Sequence, residues 1–282
     1  VIENGQHNKI QLINLSMLTN SEMNEVEYQK KYGFEIVETK LINIHGSLES
    51  EEIQETQKLV VGTNTMPKDD WIKARVWCWM VSLLHFNKLL QVPFIVLHKV
   101  YSIGFRELID TFIDSKSEPI LSGIYSFFID KAGDIQNGGS EFHESKKWLN
   151  IWWTPDELVL INLCTENKLD NFYKESEHIF GEFLQRKKIQ DYKNILHDSI
   201  ILNQNLIKLP FQNKNVDLKL FYNIWDIYKA NLSGENSSIK KGEYHYEIDR
   251  TSSKWSSWAD WCKEVVWYGN KRCAYIYNCK KL

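Results

Sequence analysis

The stretch MPKDDWIKARVWCWMVSLLHFNKLL, residues 66–90, decides the fold class. Pro67 suits the first turn of a helix, where its missing amide hydrogen is not needed, and Asp69 and Asp70 sit against the positive end of the helix dipole. Trp71, Ala74, Cys78, Val81, Leu84 and Leu89 share one stripe at helical spacing. Val76, Trp77, Trp79, Met80, Leu83 and Phe86 cover most of the remaining surface. A helix that is apolar nearly all round is a buried one, so the pattern predicts a central helix running to about Leu90. The run is broken by Ser82, His85, Asn87 and Lys88 and is too short for a membrane span.

On the C-terminal side, further helices are signalled by Ser102 before residues 105–112 and by Ser117 with Pro119 before the run to Phe128. Thr154-Pro155-Asp156-Glu157 has capping-box spacing, in which the threonine hydroxyl and the glutamate three residues on satisfy each other's free amides. Polar helices with apolar stripes are predicted over 169–186 and 191–206. Val216, Leu218 and Leu220 alternate with polar residues before an apolar stretch to Tyr228, which reads as a strand. Residues 231–242 read as a polar loop, Tyr244, Tyr246 and Ile248 as a strand, 255–266 as a helix and 274–277 as a terminal strand. On the N-terminal side, residues 9–18 read as a strand and 22–31 as a helix stopped by Gly33. Residues 34–44 read as extended, and 58–61 as a β run ending at Gly62. The expected fold is α+β and mainly helical, with a strand-containing segment over 1–64 and a helical domain over 65–282.

Lys and Arg number 34 against 37 Asp and Glu, a net charge of -3 that gives no general attraction to nucleic acid or anionic membranes. The 11 Trp, 13 Tyr and 13 Phe predict a core or a binding surface built from flat rings. The five cysteines, Cys78, Cys164, Cys262, Cys273 and Cys279, are odd in number and irregular in spacing. That suits unpaired thiols in a reducing compartment, and a cytoplasmic location is expected. With Val1 in first place and no targeting signal near it, the chain reads as part of something longer.

None of the eight histidines falls in a zinc-ligand spacing. Glu141, His143 and Glu144 form the densest local group, and a solvated loop is the ordinary reading of it. No nucleophile elbow or glycine-rich phosphate loop occurs. Arg75, one helical turn from Trp71 and from Trp79, has to find an anion, carbonyls or a ring face. It reads as a structural pairing or as an anchor for a substrate carboxylate or phosphate. Trp148 with Trp152, and Trp255 with Trp258 and Trp261, would share a face if their segments are helical. Buried, these rings are core; exposed, they would stack on sugars.

Four segments in order resemble the region that follows the radical barrel in cobalamin-binding radical S-adenosylmethionine enzymes. Leu18-Thr19-Asn20-Ser21-Glu22-Met23-Asn24 followed by Glu27-Tyr28-Gln29-Lys30-Lys31-Tyr32-Gly33 is similar to a Pro-Asn-x-x-Met then Tyr-x-x-Lys-Tyr-Gly passage, with Thr19 where proline is usual. Val60-Val61-Gly62-Thr63-Asn64-Thr65-Met66, running into Asp70-Trp71, resembles the entry to the first accessory helix. Tyr101-Ser102-Ile103-Gly104-Phe105-Arg106-Glu107 resembles a Ser-Tyr-Arg-(Glu/Asp)-Phe helix start, with Gly104-Phe105 replacing the usual tyrosine. Glu264-Val265-Val266-Trp267-Tyr268-Gly269-Asn270-Lys271, then Tyr275-Ile276-Tyr277, resembles the terminal Val-Trp-Tyr-Gly-Arg-Lys and tyrosine strand.

The resemblance implies an accessory domain that encloses substrate over the barrel mouth and does not generate the radical. S-adenosylmethionine, a [4Fe-4S] cluster and cobalamin are then expected in an upstream barrel and cobalamin domain of the same polypeptide. No Cys-x3-Cys-x2-Cys frame occurs in this chain, and Ile44-His45-Gly46 does not match the Asp-x-His-x-x-Gly cobalt-ligand segment. No catalytic residue and no metal ligand is assigned here. The substrate, a small molecule or a glycan, is expected to meet Asn20, Glu22 and Met23, then Asn64, Thr65 and Met66, with Arg75 behind them. The competing reading is a free-standing aromatic-rich module for a glycan or glycolipid, which requires exposed tryptophans.

Overall fold

The computed structural model describes residues 1–49, 54–115, 117–269 and 274–282. The fold is α+β and mainly helical, with three small antiparallel sheets among the described residues. Two compact units interleave along the chain. One comprises Val1–Ile10, Val81–Ser122 and Val159–Leu282; the other comprises Gln11–Met80 and Gly123–Leu158.

The second unit is built on a sheet of order β1-β3-β2, from β1 (Leu15–Ser16), β2 (Glu35–Lys40) and β3 (Thr56–Gly62). The strand predicted over 9–18 contracts to two residues, paired Leu15 to Val60 and Ser16 to Leu59. The central strand carries the core through Leu59, Val60 and Val61. Between β1 and β2 lies α1 (Val26–Tyr32), closed by Gly33 at φ 59°, whose amide bonds the Gln29 and Lys30 carbonyls. Then α2 (Lys68–Val81) starts where the Pro67 carbonyl accepts the Trp71 amide. A short hairpin, β4 (His143–Ser145) with β5 (Ile151–Trp153), turns through the left-handed residues Leu149 and Asn150. This hairpin carries Trp152 opposite Glu144, so Trp148 and Trp152 do not share a helix face.

The central helix does not reach Leu90. After α2 comes a π-helical turn, Ser82–Phe86, and then a break at Lys88, which has φ 64°. A new helix, α3 (Gln91–Tyr101), follows; the periodicity did not reveal it. The break is held by Asn203, whose amide donates to the Lys88 and Leu89 carbonyls while its Oδ1 accepts from the Val92 amide. Backbone groups freed by a helix break must find partners, and a buried asparagine from a distant segment supplies them.

Beyond α3 come α4 (Phe105–Asp114), α5 (Pro119–Gln136), α6 (Pro155–Thr165), α7 (Leu169–Arg186) and α8 (Tyr192–Leu206). Phe94, Phe112 and Phe180, all fully buried, meet edge-to-face at 4.9 to 5.9 Å and centre the first unit's core. After β6 (Val216–Tyr222) the apolar stretch expected to be a strand forms α9 (Ile224–Ser233). It is followed by β7 (Lys241–Asp249) and α10 (Trp258–Trp261), which continues as a second π turn, Cys262–Trp267. Trp255 precedes this helix, so the three tryptophans at 255, 258 and 261 do not form one helical stripe. The terminal strand is β8 (Asn278–Lys281), with Ile276 making only an isolated bridge to Ile207. Strand order in this sheet is β6-β7-β8. Among the described residues no single helix is long and apolar enough to cross a membrane.

Candidate functional site

The two motif turns of the second unit are set at opposite ends of α1. At its start, Gln29 donates its side-chain amide to the carbonyls of Met23 and Asn24, and Asn24 donates to the Thr19 carbonyl. These bonds hold Asn20 and Glu22 exposed and Met23 half-buried. At its end, the Asn64 amide donates to the Tyr32 carbonyl at 2.9 Å and its side chain reaches the Lys31 carbonyl at 3.4 Å. Asn64 thus closes carbonyls that the last turn of α1 leaves open. Thr63 and Met66 exchange backbone bonds across a tight turn, presenting Asn64, Thr65 and Met66 to solvent. Seven residues of helix place the two turns about 10 Å apart along the α1 axis. A shallow groove of ≈ 350 Å³ runs beside the first turn, lined by Leu18, Thr19, Asn24, Glu38, Thr56 and Lys58 among others.

Arg75 does not join these turns. Its Nη1 donates to the Leu12 carbonyl at 2.7 Å, its guanidinium lies 4.9 Å from the Trp79 ring centre, and its buried Nε has no hydrogen-bond partner. Burial lowers its pKa, offset by nearby Cys78, Glu141 and Asp156. Glu141, taken in the sequence with His143 and Glu144, accepts amides from Asn14 at 2.5 Å and Gln57 at 2.7 Å. His143 stacks on Phe127 at 4.8 Å, and burial takes its pKa down to about 4. Glu144 pairs across the hairpin with Trp152, so the three do not converge.

Thr154 Oγ1 is buried without a partner, so the threonine half of the expected capping box is not made. Glu157, fully buried, bonds His45 Nε2 at 2.8 Å. Helix α6 nonetheless starts at Pro155, as the sequence predicts. None of the 11 tryptophans is exposed: Trp71, Trp79, Trp148, Trp153 and Trp261 are buried and the rest are half-buried. Stacking on a glycan calls for exposed rings, and here no tryptophan is more than partly exposed.

No family model matches the chain. Over 128 residues, 44% of its length, it is 25% identical to the cobalamin-dependent radical SAM methyltransferase TokK of Streptomyces tokunonensis. This supports a relation to that family. The matched part spans 19% of the relative's length.

The cysteines among the described residues do not fit an iron–sulfur cluster. Cys78, Cys164, Cys262 and Cys279 are free thiols on four different elements, and burial raises the pKa of each, Cys262 and Cys279 to about 12, which opposes the thiolate form a cluster needs. Cys273, with Asn270 and Lys271 of the fourth motif, lies outside the described residues. Among the described residues no group of three or more His, Cys, Asp or Glu is placed to hold a metal ion.

The sequence reading missed one cluster in the first unit. His7 Nδ1 lies 3.1 Å from His85 Nε2, within a polar set that includes the buried Gln91 and Tyr228 and the half-buried Asn231. Its members are up to 224 residues apart, and no local spacing announces them.

Proposed function

We propose that this chain is the C-terminal region of a cobalamin-dependent radical SAM enzyme, which encloses a small-molecule or glycan substrate over the barrel mouth and leaves radical generation to upstream domains of the same polypeptide. The 128-residue similarity to the methyltransferase carries this reading. The four motif segments add to it, and so does the surface of the second unit. Around its sheet and α1, Ile13 (81%), Leu18 (70%), Val26 (62%), Leu15 (46%), Leu41 (43%) and Met66 (43%) stand exposed. Apolar side chains at this density are costly in water and suit a face that another domain covers. Within this reading the motif turns at Asn20–Met23 and Asn64–Met66 line the covered face and meet substrate, while Arg75 supports the scaffold behind them through Leu12 and Trp79. The free thiols accord with a cytoplasmic location.

The coding sequence ahead of Val1 tests the reading. A Cys-x3-Cys-x2-Cys frame upstream in the same reading frame is expected; a start codon directly before Val1 with no such frame would overturn it. A second arm is reconstitution of this chain with iron and sulfide under anaerobic conditions, which is expected to yield no iron–sulfur absorbance.

A further inference from the structure

Within residues Val1–Ile10, the part of the first unit that precedes the interleaved second unit, His7 is the one buried side chain, at 5% exposure. It fills a socket made by four elements. His85 of the π turn faces its Nδ1 at 3.1 Å, and Asn231 of α9 faces its Nε2 at 2.8 Å. Gln91 of α3 donates to its backbone carbonyl at 2.8 Å, and the Phe105 ring at the start of α4 lies 6.0 Å away. Beside this plug, Lys9 donates to Asn87 Oδ1 at 3.2 Å.

The charges that act on the two rings oppose a proton there. Lys88 beside the π turn and His98 and Lys99 on α3 all act against a proton on His7, and His7 and Lys88 act against one on His85. Asn231, Gln91 and Phe105, from the other packed elements, carry no charge. Asn231 Nδ2 donates to His7 Nε2, so the neutral His7 ring carries its proton on Nδ1 and donates it to His85 Nε2; a proton added at Nε2 takes away the acceptor Asn231 uses and leaves a cation buried beside Lys88.

We propose that residues 1–10 form a latch, held on the helical unit by the neutral His7–His85 pair and released when the pair takes up a proton. Burial, with Lys88, His98 and Lys99, lowers the His7 pKa to about 4 from 6.5. A base whose pKa is depressed on docking binds fewer protons docked than free. The latch is therefore fully favoured above 6.5 and loses its advantage as the pH falls toward 4. The shift corresponds to a fall in the docking constant of about a hundredfold between pH 7 and pH 4.

Amide hydrogen exchange of the intact chain, corrected for intrinsic rates, reads this directly. Amides of the latch are expected to be protected at pH 7 and to lose protection on acidification, while amides of α7 and α8 keep theirs. His7→Gln, which keeps a neutral hydrogen-bonding side chain, is expected to leave latch protection independent of pH. His7→Ala is expected to free the latch at pH 7, with millimolar imidazole binding the vacated socket. Latch protection unchanged by acid in the wild-type chain, or lost only together with α7 and α8, would overturn the proposal. Equal acid sensitivity in His7→Gln would also overturn it, by assigning the release to other groups.

Discussion

Gly33 ends α1 directly against the side chain of Asn64. A Cβ built on Gly33 would overlap the Asn64 amide, and Gly33 itself has φ 59°, a conformation that side chains disfavour. Two of the sequence segments that resemble one enzyme family therefore meet at one atom-scale contact, and each depends on the other.

Gly33→Ala is expected to cost about 1–2 kcal/mol, from the left-handed backbone and from the overlap with Asn64. Urea unfolding measures it. In a double-mutant cycle with Asn64→Ala the two costs should sum to more than the double variant shows, because removing the amide relieves the overlap. Strict additivity would mean that the contact carries no energy.

The buried His45–Glu157 pair is a strong structural tie of the second unit. With side chains 5% and 0% exposed, neither partner can turn to water when the other is lost. Glu157→Ala is expected to destabilise the chain by about 3–5 kcal/mol, the scale for removing one partner of a buried ion pair. A loss under 1 kcal/mol in chemical denaturation would show that the pair is dispensable.

Asp198, 2% exposed, accepts the amides of Phe221 and Tyr222 at 2.7 and 2.9 Å and so anchors β6 to α8. Asp198→Ala should cost about 2–3 kcal/mol through two unsatisfied amides. Desolvation raises the Asp198 pKa above 3.8, against the pull of those two bonds. An acid whose pKa is raised on folding penalises the folded state when ionised, and the penalty fades as pH falls toward 3.8. The stability difference between wild type and Asp198→Asn should therefore shift in favour of the wild type on acidification. A difference that does not move with pH would contradict this.

Cys262 and Cys279, with thiol pKa pushed up to about 12, and Cys164, raised further, should resist alkylation by iodoacetamide at pH 8 in the native chain. Peptide mass analysis after labelling with and without denaturant checks each site. Rapid native labelling of Cys262 would contradict its burial.

Local signals were legible where one segment supplies both the pattern and its partner. The helix over 169–186, the one ending at Leu206 and the Gly33 stop all follow from spacing and conformational freedom within a few residues. The break near Lys88 was not legible, because its carbonyls are satisfied by Asn203, 115 residues away. The β4–β5 hairpin escaped because it turns through Leu149 as well as Asn150 in the left-handed region, which asparagine favours and leucine does not.

Alone, the sequence determined the helical α+β class, the wealth of aromatic rings, the absence of a local cluster-binding frame and the four motif segments. These depend on composition, periodicity and residue identity, which are written along the chain. Only the tertiary structure decided that Arg75 braces Leu12 and Trp79, that Glu157 turns to His45, and that His7 plugs a socket beside His85. A buried polar group must find a partner wherever the packed chain offers one, and sequence distance has no part in that choice.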